Sequence, residues 1–144
     1  MTGLLHTLFY FLVALTILVT IHELGHYLVA RWMGVKVIRF SLGLGHPFWR
    51  YQRHPDATEF TLSVLPLGGY VKMLDEREGE VSPEDLPYAF NRQPLLRRTA
   101  IVAAGPAFNF ALAVLLYWAI FMLGETGLRP VLGQAATDTL AAKA

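Results

Sequence analysis

Positions four apart on an α-helix lie one turn apart on the same face. In Ile21–His22–Glu23–Leu24–Gly25–His26, His22 and His26 can therefore aim two imidazoles at one metal ion. Glu23 is the next residue round and can hold a water beside that metal and take a proton from it. The H-E-x-x-H string is the arrangement used for zinc-dependent peptide hydrolysis. By itself the string recurs by chance in soluble helices, and its setting is what sharpens it. It lies near the end of a long apolar run that begins at Leu4. A carboxylate at the centre of a membrane helix costs about 2.5–3.5 kcal/mol, so ionisable groups there default to a functional reading. The plainer alternative, two buried histidines bonded to neighbouring helices with Glu23 merely paired, leaves that cost unexplained.

The composition agrees with a membrane setting. Hydrophobic residues make up 54% of the 144-residue chain and charged ones 16%, against about 25% charged in soluble domains. A chain of this length is one small domain at most, or a piece of a larger protein. The net charge of +1 gives no reason to expect a nucleic-acid partner. With no cysteine, disulfides and thiolate metal sites are excluded, and any zinc must be held by His, Asp or Glu. There is no internal repeat or low-complexity segment. The amino terminus lacks a basic n-region and a small-residue cleavage site, and removing it would destroy the H-E-x-x-H. It is expected to be retained as a transmembrane helix.

That first span covers residues 1–33. Its apolar part exceeds the roughly 20 residues needed to cross a bilayer, leaving room for tilt. His6 sits at the near interface, Arg31 and Trp32 mark the far one, and Gly34 is a natural helix stop. His22 and Arg31 are nine residues apart, roughly 14 Å along the axis. The candidate metal thus lies within the bilayer, in reach of water from the Arg31 side. Residues 1–30 hold no Lys or Arg, whereas ten of the chain's twelve fall between Arg31 and Arg98. The positive-inside rule places that middle segment in the cytoplasm and both termini outside.

Residues 34–74 are expected to form a cytoplasmic, membrane-associated antiparallel sheet. Lys36–Leu42, Glu59–Leu65 and Val71–Leu74 are β-branched and aromatic. Gly43–Leu44–Gly45, His46–Pro47, His54–Pro55–Asp56 and Pro66 separate them as turns, giving three or four short strands. Such apolar strands must pair with one another and line a cavity, because bare backbone cannot face lipid. A sheet edge beside a metal site could take an extended peptide by strand addition. Ser63 and Val64, in mid-strand, together with Gly43 and Gly45 are the candidate substrate-binding residues. A hairpin that simply packs the helices is the competing reading. His46 and His54 lie in turns, with no spacing that pairs them with His22.

Residues 75–98 form an acidic connector and juxtamembrane segment, expected to be solvated; six acidic residues fall between Asp75 and Asp85. Residues 99–124 form the second span. Ala103, Ala107 and Ala111 recur every four residues, as do Gly105 and Asn109. Small residues in a stripe admit another helix closely, and a membrane Asn bonds across helices. Gly105, Pro106 and Asn109 fit helix packing and site shaping equally well. Pro106 removes one helix bond and is expected to kink the span. Residues 125–144 lie outside the membrane, with strand character at Pro130–Leu132.

Taken together, IHELGH, RFSLGLG, PLGGYVKMLDE, AFNRQ and GPAFNF resemble the amino-terminal portion of the bacterial site-2 proteases, which are intramembrane zinc metalloproteases. The resemblance runs over nearly the whole chain. It implies Zn2+ on His22 and His26, Glu23 as general base, and a membrane-reentrant β region over Ser41–Leu74 that presents substrate. It implies that residues 125–144 begin a PDZ domain, and that the protein sits in the bacterial inner membrane. The implied substrates are single-pass membrane proteins of the anti-sigma factor type and remnant signal peptides. In that family the third zinc ligand is an Asp in an N-x-x-P…L-D-G motif on a later helix. This sequence has no such motif, and Leu74–Asp75–Glu76 lacks both its Asn-Pro context and its glycine. A catalytic zinc needs about three protein ligands, so the chain is expected to be part of a longer enzyme and inactive alone.

Two other classes compete. A non-catalytic scaffold or pseudoprotease fits the missing ligand, but not the intact His22, Glu23 and His26. A membrane di-iron oxidase would need several histidine boxes, and five histidines with one such pair do not supply them. The expected topology has a direct check. A cysteine at Gly79 should be shielded from membrane-impermeant thiol reagents in intact cells while one at Gly127 labels, and the reverse pattern would overturn it.

Overall fold

A computed structural model describes residues 2–124 of the chain; the expected external segment, 125–144, lies outside the described residues. Helix α1 runs over Thr2–Trp32, and helix α2 over Leu95–Leu123. Both are long and apolar enough to cross a membrane. Leu4, Phe9, Tyr10, Leu96, Phe110, Trp118 and Phe121 each leave more than half of their surface exposed. A water-facing surface would not carry such long apolar faces. α2 starts one turn earlier than the expected Thr99, behind Pro94, whose fixed φ suits a helix start. Arg97 and Arg98 therefore belong to its first turns. Helical structure continues through Pro106.

α1 ends as Gly34 suggested. With φ at +79°, Gly34 lets its own N–H donate to the Arg31 carbonyl at 3.2 Å and the Val35 N–H donate to the Ala30 carbonyl at 2.9 Å. These two bonds make a Schellman cap. The turn delivers Val35 and Val37 onto a buried cluster with Ala30 and Ile101, against which Tyr27, Val71, Met73 and Phe90 pack. The core thus sits where both helices meet the sheet, at the Arg31 end of α1.

The expected three or four short strands are realised as two long bent ones, β1 (Val37–Tyr51) and β2 (Glu59–Met73). They pair antiparallel overall, but each is used twice. The start of β1 has the end of β2 on one side, with Phe40 opposite Val71 and Leu42 opposite Gly69. On its other side lies the start of β2, with Arg39 opposite Glu59 and Leu42 opposite Leu62. Those last pairs advance in step, so that central stretch is in parallel register. The end of β1 then lies antiparallel along the start of β2, Trp49 opposite Leu62 and Tyr51 opposite Phe60. Across the sheet the order is 47–51, 59–63, 37–44, 69–73. The Arg39 guanidinium bridges three of these ribbons, donating to Glu59 at 2.6 Å and to the Tyr70 hydroxyl at 3.3 Å.

Gly43–Leu44–Gly45 and His46–Pro47 do not interrupt β1 as turns; they bend it. Gly43 and Gly45 take φ of +85° and +86°, which reverses the strand's course without ending it. Pro66 likewise lies inside β2, whereas His54–Pro55–Asp56 falls in the connecting turn as expected. The acidic connector is tied down. Lys36 pairs with Asp85 at 2.7 Å, and Glu76 accepts from Asn91 at 2.6 Å and from the Arg92 Nε at 3.0 Å. Those bonds from Arg92 and Asn91 hold the Glu76 carboxyl below its usual range, and Arg77 does the same for Asp75.

The two bending glycines separate strain from space. A Cβ at Gly43 would lie 2.6 Å from the Ser63 carbonyl oxygen, whereas at Gly45 its nearest neighbour is Leu65 Cδ1 at 3.9 Å. Both alanine variants take on a left-handed backbone, at about 1–2 kcal/mol. Gly43→Ala should lower the melting temperature of the complete protein clearly more than Gly45→Ala does, and equal shifts would count against this bend.

Candidate metal centre

α1 and α2 meet through glycines. A Cβ on Gly25 would come within 2.6 Å of the Ala104 carbonyl oxygen and 2.9 Å of Phe108 Cγ. Only a glycine lets α1 lie against the α2 backbone at that level. One residue from Gly25 is His26, and its ring projects over Gly105. His22, a turn earlier, does the same. The point a Gly105 Cβ would occupy is 2.5 Å from His26 Nε2 and 2.6 Å from His22 Nε2. The rings stand nearly perpendicular, 81° apart, with centroids 4.8 Å from each other.

The far side of each imidazole is held by α2. His26 Nδ1 lies 2.7 Å from the Ile101 carbonyl oxygen. A carbonyl only accepts, so His26 Nδ1 carries a proton there and its Nε2 is left with the lone pair. His22 Nδ1 lies 3.3 Å from the Asn109 side-chain amide. Ile101, Gly105 and Asn109 fall on one face of α2, four residues apart. Of the two expected rows of α2, Gly105 and Asn109 back the histidines, whereas Ala103, Ala107 and Ala111 are exposed.

Glu23 points to the other side, toward the sheet. A Cβ at Gly69 would meet Glu23 Cγ at 2.9 Å and the Ser41 carbonyl oxygen at 2.8 Å. The absence of that Cβ lets the outer ribbon 69–73 run against α1 beside the carboxylate. Glu23 and His26 line a cavity of about 280 Å³ with Gly69, Tyr70, Val71 and Ile101. A second cavity of about 340 Å³ lies between α1 and the sheet, lined by Thr16, Thr20, Gly43, Ser63, Val64 and Gly68 among others. Gly68 lines the second cavity and its neighbour Gly69 the first.

The sequence-derived residues thus fall into two groups. His22 and His26 are brought together at the α1–α2 contact, with Glu23 on the side that faces the sheet. Gly43, Ser63 and Val64 are brought together at the neighbouring cavity, and Gly45 is not among its lining residues. Ser63 pairs with Pro47 inside the sheet, and Val64 is 61% exposed. The ribbon with a free edge beside Glu23 is 69–73. Gly69 and the Ile101 carbonyl were not picked out by sequence reasoning; the glycine pair of PLGGYVKM was the available signal for Gly69, while a backbone carbonyl leaves none.

The donor set fits zinc as far as it goes. Two imidazole nitrogens converge on one small space that a side chain at position 105 would fill, and zinc binds such nitrogens at about 2.0–2.1 Å. Among the described residues no third His, Cys, Asp or Glu joins them. Gly105→Ala should therefore act on the metal before it acts on the fold, since alanine is the better helix former by about 1 kcal/mol. In the complete protein this variant should lose bound zinc, read by metal analysis, while keeping its helical content. Full zinc occupancy would show that the two rings do not close over Gly105.

Comparison with known proteins places these features in context. The model of Peptidase family M50 matches residues 10–143. A provisionally named zinc metalloprotease of Neisseria meningitidis is 58% identical over 140 residues, covering 97% of this chain and 31% of that protein. The regulator of sigma-E protease RseP of Escherichia coli is 49% identical over 134 residues, covering 93% of this chain and 30% of that protein. Protease RseP of Yersinia pestis is 47% identical over 144 residues, covering 100% and 32%. The chain spans about a third of the length of the relatives it matches. With two glycine-backed histidines, an adjacent glutamate and a family match over nearly its whole length, the chain belongs to Peptidase family M50.

Proposed function

We propose that this chain is the amino-terminal portion of an intramembrane zinc endopeptidase of the site-2 type. Its substrates are transmembrane segments of single-pass proteins, of the anti-sigma factor kind or remnant signal peptides. The observation that carries the reading is the convergence of both Nε2 atoms on Gly105, with Glu23 one residue away and opening onto a sheet-lined cavity. His22 and His26 would hold the metal through Nε2, together with a ligand from the remainder of the complete protein. Bound zinc supplies a Lewis acid that polarises the scissile carbonyl and acidifies water. Glu23 takes the proton from the attacking water and hands it to the leaving amine nitrogen, so one carboxylate serves as base and then acid.

The sheet suits the remaining requirement. A helical substrate hides its peptide bonds in its own hydrogen bonds, so it must be drawn out before it is cut. Strand addition offers it replacement backbone partners. Two places favour this role: the free edge of 69–73 beside Glu23, and the cavity carrying Gly43, Ser63 and Val64. The protein sits in the bacterial inner membrane, with the sheet and connector in the cytoplasm and both chain ends outside.

A second reading, a non-catalytic membrane scaffold, is favoured by the presence of only two nitrogen donors among the described residues. One substitution separates the two. In the complete protein Glu23→Gln should keep zinc yet reduce cleavage of a single-pass reporter by several orders of magnitude, because the amide cannot accept the proton. Near-normal turnover in that variant would remove Glu23 from the chemistry, and absence of cleavage in the unaltered complete protein would favour the scaffold.

A further inference from the structure

The two histidines are anchored differently on their far sides, and only one anchor is settled by its chemistry. His26 Nδ1 faces the Ile101 carbonyl, which fixes the proton on Nδ1. His22 Nδ1 faces a side-chain amide, whose two ends exchange places by a half-turn about the Cβ–Cγ bond. In the recorded orientation Asn109 Nδ2 is 3.3 Å from His22 Nδ1, and Oδ1 is enclosed with no hydrogen-bond partner. Turning the amide puts Nδ2 in that enclosed position instead. The recorded orientation leaves a buried oxygen unsatisfied, so the recorded hydrogen bond alone does not choose between the two.

The metal does. If Nδ2 donates to His22, the Nδ1 lone pair is used and the ring proton sits on Nε2, the atom that converges with His26 Nε2 on Gly105. A protonated Nε2 cannot ligate. For His22 to bind through Nε2 the proton must sit on Nδ1, and Nδ1–H needs an acceptor. We propose that Asn109 is a positioning residue whose Oδ1 accepts a hydrogen bond from His22 Nδ1–H. It would do for His22 what the Ile101 carbonyl does for His26. Both histidines are then presented as the same tautomer by acceptors two turns apart on one helix face. This inference rests on the zinc reading of His22 and His26.

A packing role and an acceptor role respond oppositely to substitution. If Asn109 only fills space between helices, Leu or Ala is tolerated and a carboxylate is the damaging change. If it is an acceptor, Asp preserves the function and the apolar variants lose it. The measurement is the zinc dissociation constant of the complete protein in detergent, by competition with a chromophoric chelator. Folding is followed in parallel by circular dichroism and gel filtration. Asn109→Ala and Asn109→Leu should weaken zinc binding about 10–100-fold, the usual effect of removing an outer partner of a metal histidine. Asn109→Asp should bind zinc clearly more tightly than either apolar variant, because its carboxylate oxygen can take the same hydrogen bond.

Wild-type affinity in the Ala and Leu variants, or an equal loss in folded Asp, Ala and Leu variants, overturns the assignment. If Asn109→Asp does not fold, the unaltered zinc-loaded protein decides. With 15N-labelled histidine, His22 should show a protonated Nδ1 and a metal-bound Nε2, with a cross-peak from Nδ1–H to the Asn109 side-chain carbonyl carbon. Ligation through Nδ1, or absence of that cross-peak, overturns it. His22→Ala is the control for the underlying reading. Undiminished zinc in that variant removes the metal centre itself, whereas its loss alongside intact binding in Asn109→Ala removes only the role of Asn109.

Discussion

Everything in this molecule depends on how closely α1 and α2 approach. At Gly25 a single added methyl would run into the Ala104 carbonyl, and at Gly105 it would run into both histidine rings. Membrane helices have no hydrophobic drive toward each other, because lipid is as apolar as their side chains. They associate through close packing and interhelical hydrogen bonds, and this pair uses both. The glycines remove the steric barrier, and the bond from His26 to the Ile101 carbonyl then becomes possible. The same contact that joins the helices therefore orients the two imidazoles. A pair of histidines on one helix gains rigidity from the neighbouring helix.

The sheet obeys a second closeness constraint of the same kind. Gly69 lies against both α1 and the Ser41 carbonyl, and Gly43 against the Ser63 carbonyl. Bending β1 at Gly43 and Gly45 lets one strand serve two ribbons, so four ribbons are built from two chain segments. The two inner ribbons, 59–63 and 37–44, then have partners on both sides. The outer side of 69–73 stays open next to Glu23. A sheet that closed both edges would have covered the carboxylate, and one without the glycines would have stood away from it.

The parts that the sequence made legible are those with local causes. The two spans follow from length and hydropathy, the end of α1 from Gly34, and the pairing of His22 with His26 from helical periodicity. The sheet's strand content was visible in the β-branched runs, but its connectivity was not. Gly43–Leu44–Gly45 reads as a turn because positive-φ glycines usually mark one. Here they bend a continuing strand, since residues 47–51 find a partner in 59–63 rather than reversing into solvent. The connector reads as solvated from its charge alone, yet Asn91, Arg92 and Lys36 supply partners for Glu76 and Asp85. Those pairings are set by the fold's long-range contacts, which no local pattern encodes.

The apolar surface leads to one further step. The described residues leave Leu4, Phe9, Leu96, Trp118 and Phe121 largely uncovered, while Ala104, Gly105 and Ile101 at the histidines are buried. His22 and His26 thus lie where the helices shield each other. A carboxylate facing lipid has no partner and no water, so the cost of Glu23 is bearable only because it faces the sheet-lined cavity. Cavity, sheet and carboxylate are accordingly one arrangement rather than three. On the proposed function, the open 69–73 edge is where water and polypeptide would reach Glu23. Gly69, at its start, sets how near that ribbon lies to Glu23.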